Sequence, residues 1–205
     1  MHYQRTLGLI ALALLAASCA STSNESTYRT RAVELMLADF KTRGIASIDR
    51  LKQDETQALC SQYRDNVPPD IAERIRERNL AAVKYPADGK FLGDWKQGEK
   101  IAQSGRGLQF TDKPDTVNGG NCYACHRLSP QELSYGTIGP SLYNYGKIRG
   151  YGPEVQKYTY AKIYNPQAFV ACSNMPRFGH NGILTEEQIK HVVALLLDPE
   201  SPVNK

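Results

Sequence analysis

The chain has 205 residues, with 25 Lys and Arg against 21 Asp and Glu for a formal charge of +4, and 41% of its residues are apolar. This is ordinary globular usage, so disordered, collagen-like and acidic-tail classes are excluded, and the length suits one moderate domain or a small domain with an extension. The positive charge is weak and dispersed, with no run of five like charges, and gives no footing for nucleic acid.

The chain opens on Arg5, an uncharged apolar run of 11 residues from Leu7 to Ala17, and the small residues Ser18-Cys19-Ala20-Ser21. This is the layout of a secretory signal peptide. The run falls short of the roughly 20 residues needed to span a bilayer, so an exported, periplasmic protein is expected. Cys19 has two readings. Leu15-Ala16-Ala17-Ser18-Cys19 resembles a lipobox, although Ala16 stands where Leu is usual, and would make Cys19 the lipidated first residue of the mature chain. Cleavage after Ala20 would instead discard it. A lipid on Cys19 is the sole membrane attachment expected.

Residues 1–19 are therefore assigned to the signal, 20–91 to a linker and helical extension, and 92–205 to a second unit. In the extension, Val33, Met36, Leu37 and Phe40 recur at helical spacing, predicting an amphipathic helix over 28–43, with Gly44 as its C-terminal cap and Met36 in a core. Ile48, Leu51, Ala58, Leu59 and Tyr63 give a weaker helical face. Pro68-Pro69-Asp70 starts a third helix, with Ile71, Ile75 and Val83 on one side. Tyr85 to Gly89 is turn chemistry.

The second unit begins near Leu92 with a short helix marked by Trp95, Ile101 and Ala102. Residues 129–182 are dense in Gly, Pro, Tyr and Asn and read as loops with short helical pieces. Thr185-Glu-Glu-Gln188 is a capping box that opens a last helix with Ile189, Val192, Val193, Leu196 and Leu197 on its apolar face, ended by Pro199. No strand alternation and no repeat are visible, so residues 28–85 read as a helical extension. Few helices and many loops suit a chain organised around something other than side chains.

Cys122-Tyr123-Ala124-Cys125-His126 carries the chemistry. The C-x-x-C-H arrangement attaches c-type haem: one turn of chain sets both sulfurs along a porphyrin edge, and the adjacent imidazole reaches the iron. A zinc site would need a second pair of ligands, and a redox dithiol would leave His126 unexplained. One covalent haem c is therefore expected. Met175, in Ser173-Asn174-Met175-Pro176-Arg177-Phe178, is the expected second ligand, because Pro176 stiffens the segment and a thioether suits a soft iron centre. His180 competes for this role, and His191 is expected at the surface of the last helix. Gly139-Pro140-Ser141-Leu142 returns beneath His126, where a carbonyl can accept from the imidazole Nδ1–H, Pro140 can pack on the ring and Leu142 can wall the haem.

Tyr143, Tyr145, Tyr151, Tyr158, Tyr160 and Tyr164 offer hydroxyls to haem propionates, or simply loop packing. Lys147, Arg149, Lys157, Lys162 and Arg177 make this half locally basic, which would steer an acidic redox partner; a solvated surface is the alternative. Cys60 and Cys172 remain. Export favours a disulfide between them, which would tie the extension to the second unit; two buried thiols, or a bond to another chain, stay open.

Residues from about 92 to 200 resemble class I c-type cytochromes, and more closely the SoxX family, the monohaem subunits of the SoxAX complexes of bacterial thiosulfate oxidation. The resembling text is Gly120-Asn-Cys-Tyr-Ala-Cys-His126, Ile138-Gly-Pro-Ser-Leu142, Asn174-Met-Pro-Arg-Phe-Gly179 and the Gly182 to Gln188 lead into the last helix. The resemblance implies the all-α class I cytochrome c fold, here with an N-terminal helical extension, and His126 and Met175 as iron ligands. It implies the non-catalytic haem subunit of an L-cysteine S-thiosulfotransferase, which oxidatively conjugates thiosulfate to a SoxYZ-like carrier. A SoxA-like cytochrome subunit would hold the catalytic thiolate. This chain would accept the electrons and pass them to a soluble c-type cytochrome. A stand-alone periplasmic electron shuttle is the alternative.

Overall fold

A computed structural model describes residues 26–64 and 66–205. The signal run and Cys19 lie outside the described residues. Helix α1 covers residues 26–39, shorter than the periodicity predicts. Gly44 does not cap it. With φ at +52° it turns the chain between Arg43 and Ala46, and a Cβ there would lie 2.0 Å from the Phe110 carbonyl oxygen. The predicted core face is also corrected. Val33, Leu37 and Phe40 are exposed and Met36 is only half-buried. A 3.6-residue repeat reports that a helix is amphipathic, not what covers it.

The weak helical face that follows is broken in two. A 3-10 turn, Ile48–Leu51, precedes α2, Glu55–Tyr63. The break is set by Asp54, whose carboxylate accepts from the Gln57 backbone while Gln57 reaches back, a capping box. Helix α3, Pro69–Ala81, starts where expected, with Pro69 in its first turn, and buries Ile75. It packs on the 3-10 turn Pro166–Ala168 of the second unit.

That packing is specified by a polar group. Asn79 is 3% exposed; its amide donates to Thr56 Oγ1 at 3.0 Å and to the Ile75 carbonyl at 2.8 Å, and its oxygen accepts from Asn165 at 2.8 Å. One side chain thus joins α2, α3 and the second unit. Asn79→Ala leaves the buried Asn165 amide and Thr56 hydroxyl short of a partner. The expected loss is about 1–3 kcal/mol of stability, read as a lower denaturant midpoint of the holoprotein with an unchanged haem spectrum.

The second unit is built on two crossing helices, α4, Trp95–Gln103, and the C-terminal helix, Glu186–Leu197. Between them lie α5, Tyr145–Arg149, and α6, Pro153–Tyr164, making the C-terminal helix α7. The sequence marks α6 poorly because it has no aliphatic repeat; it buries Thr159, Tyr160, Ala161 and Ile163 instead. The Thr185 capping box forms as read, and all five residues of the predicted α7 face are at most 4% exposed. Burying each such side chain is worth roughly 1.5–3 kcal/mol, so α7 anchors the core. The chain end folds back over it: buried Asn204 donates to the carbonyls of Leu196 and Asp198, both at 3.0 Å, and accepts from the Gly146 N–H. Among the described residues there is no strand beyond the Arg43–Ala46 bridge, and no helix is long and apolar enough to cross a membrane.

Of the states open to Cys60 and Cys172, the structure has the disulfide, with Cα atoms 5.6 Å apart and a sequence separation of 112. In the chain-entropy account such a loop is worth roughly 4–5 kcal/mol.

Candidate haem site

The attachment motif is one 3-10 turn, Cys122–Ala124, entered through Asn121 in a left-handed conformation. The Cys122 carbonyl accepts from both Cys125 and His126 backbone N–H groups, at 3.1 and 2.9 Å, which sets both thiols and the imidazole on a single turn. Tyr123, inside the motif, is 5% exposed and donates its hydroxyl to Glu99 on α4 at 2.9 Å. Burial pushes this tyrosine up to about 12 and also raises the Glu99 carboxyl.

The returning chain is zipped to the motif by three backbone hydrogen bonds, Gly136 to Tyr123, Gly139 to Cys125 and Leu142 to Arg127, each at 2.8 Å. Gly139 lies so close that a Cβ would come within 2.2 Å of His126 Cε1. The next carbonyl, of Pro140, sits 2.7 Å from His126 Nδ1. A carbonyl only accepts, so Nδ1 carries the proton and Nε2 keeps its lone pair.

Cys122, His126 and Met175 line one cleft, walled by Leu128, Leu142, Ile163, Phe178, Leu184, Val192 and Leu196. Helix α6 supplies Ile163, and α7 supplies Val192 and Leu196. Cys122 and Cys125 are both free thiols. Burial pushes Cys122 up to about 12, so it is no poised thiolate for disulfide exchange. Among the described residues no group of three or more His, Cys, Asp or Glu side chains converges on a metal. Two thiols and an imidazole on one turn, a thioether in the same cleft and apolar walls are the donor set and surroundings that a covalent haem requires, so the residues present fit it.

Several readings are corrected. His180 is exposed and does not line the cleft; burial first, then the Arg177 charge, hold it below the usual histidine range. His191 is half-buried at the surface of the last helix: its side chain is 20% exposed, and its Nδ1 accepts from the Asp94 N–H at 2.8 Å. Among the described residues no tyrosine lines the cleft. The Tyr143 and Tyr160 hydroxyls donate to the carbonyls of Lys205 and Lys84, and Tyr145 bonds Thr159. Arg177 leaves the basic surface cluster, for its side chain is 7% exposed and paired with Asp54 at 2.6 Å. The Asp54-x-x-Gln57 pattern marks a helix cap, and nothing in it points to Arg177.

Residues 106–198 match the family described as Cytochrome c. A relative from Aquifex aeolicus (strain VF5), described as an uncharacterized lipoprotein, is 45% identical over 156 residues, covering 75% of this chain and 73% of the relative. Residues 106–198 are a cytochrome c domain: the chain has the all-α class I fold, carries covalently bound haem c and serves electron transfer.

Proposed function

We propose that the chain is the electron-accepting monohaem subunit of a SoxAX-type, thiosulfate-conjugating complex. Cys122 and Cys125 would hold the haem through thioether bonds, and His126 and Met175 would bind its iron. The observation that carries the ligand set is the meeting of Cys122, His126 and Met175 in one apolar cleft. The thiosulfate reading rests on the Gly120–His126, Ile138–Leu142 and Asn174–Gly179 segments, which resemble SoxX.

When bound, the haem supplies one-electron oxidation and reduction. The chain's own residues tune and protect it. The His126–Pro140 hydrogen bond fixes the imidazole orientation and raises its basicity. A thioether from Met175 raises the potential relative to two imidazoles, which suits an acceptor. The aliphatic walls keep water and small ligands out. Joining thiosulfate to a carrier cysteine forms one S–S bond and releases the thiol proton and two electrons. The nucleophilic thiolate belongs to a SoxA-like partner and the cysteine to a SoxYZ-like carrier; this chain relays the electrons one at a time to a soluble c-type cytochrome.

Cys19 is lipidated in this reading and tethers the mature protein to the periplasmic face of a membrane. The lipobox-like segment and the relative described as a lipoprotein support it.

Purification from native membrane and soluble fractions tests the assignment. The expected product is a membrane-associated heterodimer with a second haem subunit, a diacylglyceryl mass increment on Cys19, and reduction by thiosulfate that requires the carrier protein. A soluble monomer that thiosulfate does not reduce in the presence of carrier would make the chain a stand-alone shuttle.

A further inference from the structure

Met175 sits in a segment without regular secondary structure, and its backbone N–H donates only to the Ser173 hydroxyl, at 3.2 Å. Such a loop does not by itself hold a side chain on target. Its two flanks, however, are tied to the same helix. Three residues before Met175, Cys172 is bonded to Cys60 near the C-terminal end of α2. Two residues after it, Arg177 reaches Asp54, the N-cap of α2, at 2.6 Å. The Asp54 carboxylate divides its work: Oδ1 accepts from the Gln57 N–H and caps the helix, and Oδ2 accepts from Arg177. Burial raises this carboxyl, but Gln57 and Arg177 outweigh it and hold it below the ordinary range, so it is charged at neutral pH.

Helix α2 is fixed in turn. Thr56 bonds to Asn79 and Glu55 pairs with Arg78, both on α3, and Asn79 bonds to Asn165 in the second unit. The extension therefore supplies a stiff two-turn bar with one tether at each end, and the Met175 segment is strung between them.

We propose that α2 is a clamp that positions the Met175 thioether in the haem cleft, with Asp54 and Cys60 as its positioning residues. This rests on Met175 as the sulfur ligand. A haem domain alone needs no such bar for its core, since α4, α6 and α7 close that core. The clamp acts on the ligand whose backbone N–H is bonded only to a side-chain hydroxyl. Without it the segment opens locally more often, and the iron becomes accessible to outside ligands more of the time.

The test uses the ferric holoprotein. Three variants are compared: Asp54→Asn, Cys60→Ser with Cys172→Ser, and all three changes together. The readouts are the far-red methionine–iron charge-transfer band, the rate of cyanide binding and the midpoint potential, with helical circular dichroism as the check on folding. Removing either tether is expected to speed cyanide binding about tenfold, and the combined variant should exceed both and show a weakened band. Asp54→Glu keeps the carboxylate and should recover part of the wild-type rate. A merely structural role would lower the unfolding midpoint and leave the native-state rate and potential unmoved.

A folded combined variant with wild-type band and cyanide rate overturns the clamp. Should that variant not fold, Asp54→Asn with the disulfide intact decides: a wild-type rate there overturns the proposal. Failure of the ligand reading is separately visible, because the wild-type protein would then lack the band and Met175→Ala would leave the spectrum unchanged.

Discussion

Met175→Ala is expected to leave the protein coloured, with its haem still attached, while the methionine–iron charge-transfer band disappears and the midpoint potential falls. Attachment depends on Cys122 and Cys125, both on a turn that Met175 does not touch in sequence. Truncation removes the only thioether lining the cleft among the described residues. The sixth position is then open to water or to an added ligand, and cyanide binds without displacing anything. Axial ligands command a span of roughly 0.8 V in haem proteins, so loss of a sulfur ligand is a large change, far beyond that of an ordinary surface substitution. Met175→His should restore six-coordination without restoring the potential, because two imidazoles stabilise the oxidised form better than imidazole and thioether. Cys122→Ser with Cys125→Ser is the control and should yield colourless protein. An unchanged band in Met175→Ala would move the ligand elsewhere, and Met36, half-buried on α1, is the other methionine among the described residues.

The site was more legible in the sequence than the structure around it, for a physical reason. Haem attachment needs its thiols and imidazole within one turn, so Cys122, Cys125 and His126 are adjacent in the text. The return through Pro140 is close enough to be read from the same passage, and the structure narrows it to one carbonyl at 2.7 Å. The α7 face was equally plain, since a capping box and an aliphatic repeat report on each other. The clamp was not legible. Asp54 and Arg177 stand 123 positions apart, and nothing local distinguishes Arg177 from its solvated basic neighbours. Asn79 looks like any polar residue on the outer side of a helix, yet three elements meet on it. Helix α6 reads only as a short helical piece among loops, because Thr159 and Tyr160 do much of the packing that leucines usually mark. In each case a partner distant in sequence decides the role, and periodicity carries no information about partners.

The division of labour that results is asymmetric. The proximal side of the cleft is built from consecutive residues and is stiff by local backbone bonding. The methionine side is a loop, and its stiffness is borrowed from a segment more than a hundred residues upstream, joined by a disulfide that spans 112 positions. In the exported location proposed above, an oxidising compartment would keep that bond closed.

Gly98→Ala is expected to destabilise the holoprotein by about 2 kcal/mol or more, against what helix propensity predicts. Gly98 lies within α4, and glycine in a helix interior costs roughly 0.5–1 kcal/mol relative to alanine. On propensity alone the substitution would therefore stabilise. The structure reverses the sign. An alanine Cβ at this position would lie 2.1 Å from the His191 carbonyl oxygen and 2.7 Å from its carbonyl carbon, both backbone atoms of α7. Backbone cannot swing aside as a lysine tip would, so the two helices must separate. That separation drags Val192 and Leu196, which wall the cleft beside His126 and Met175. Overpacking typically costs 1–3 kcal/mol and here strikes the central helix crossing, so it outweighs the propensity gain. A fall of several degrees in the unfolding midpoint is the expected reading, with a lower yield of haem-loaded protein. Gln97→Ala, on the exposed side of the same helix, should stay within about 0.5 kcal/mol of wild type. If Gly98→Ala instead unfolds at or above the wild-type temperature, α4 and α7 do not cross at this glycine, and the placement of Val192 and Leu196 in the cleft falls with it.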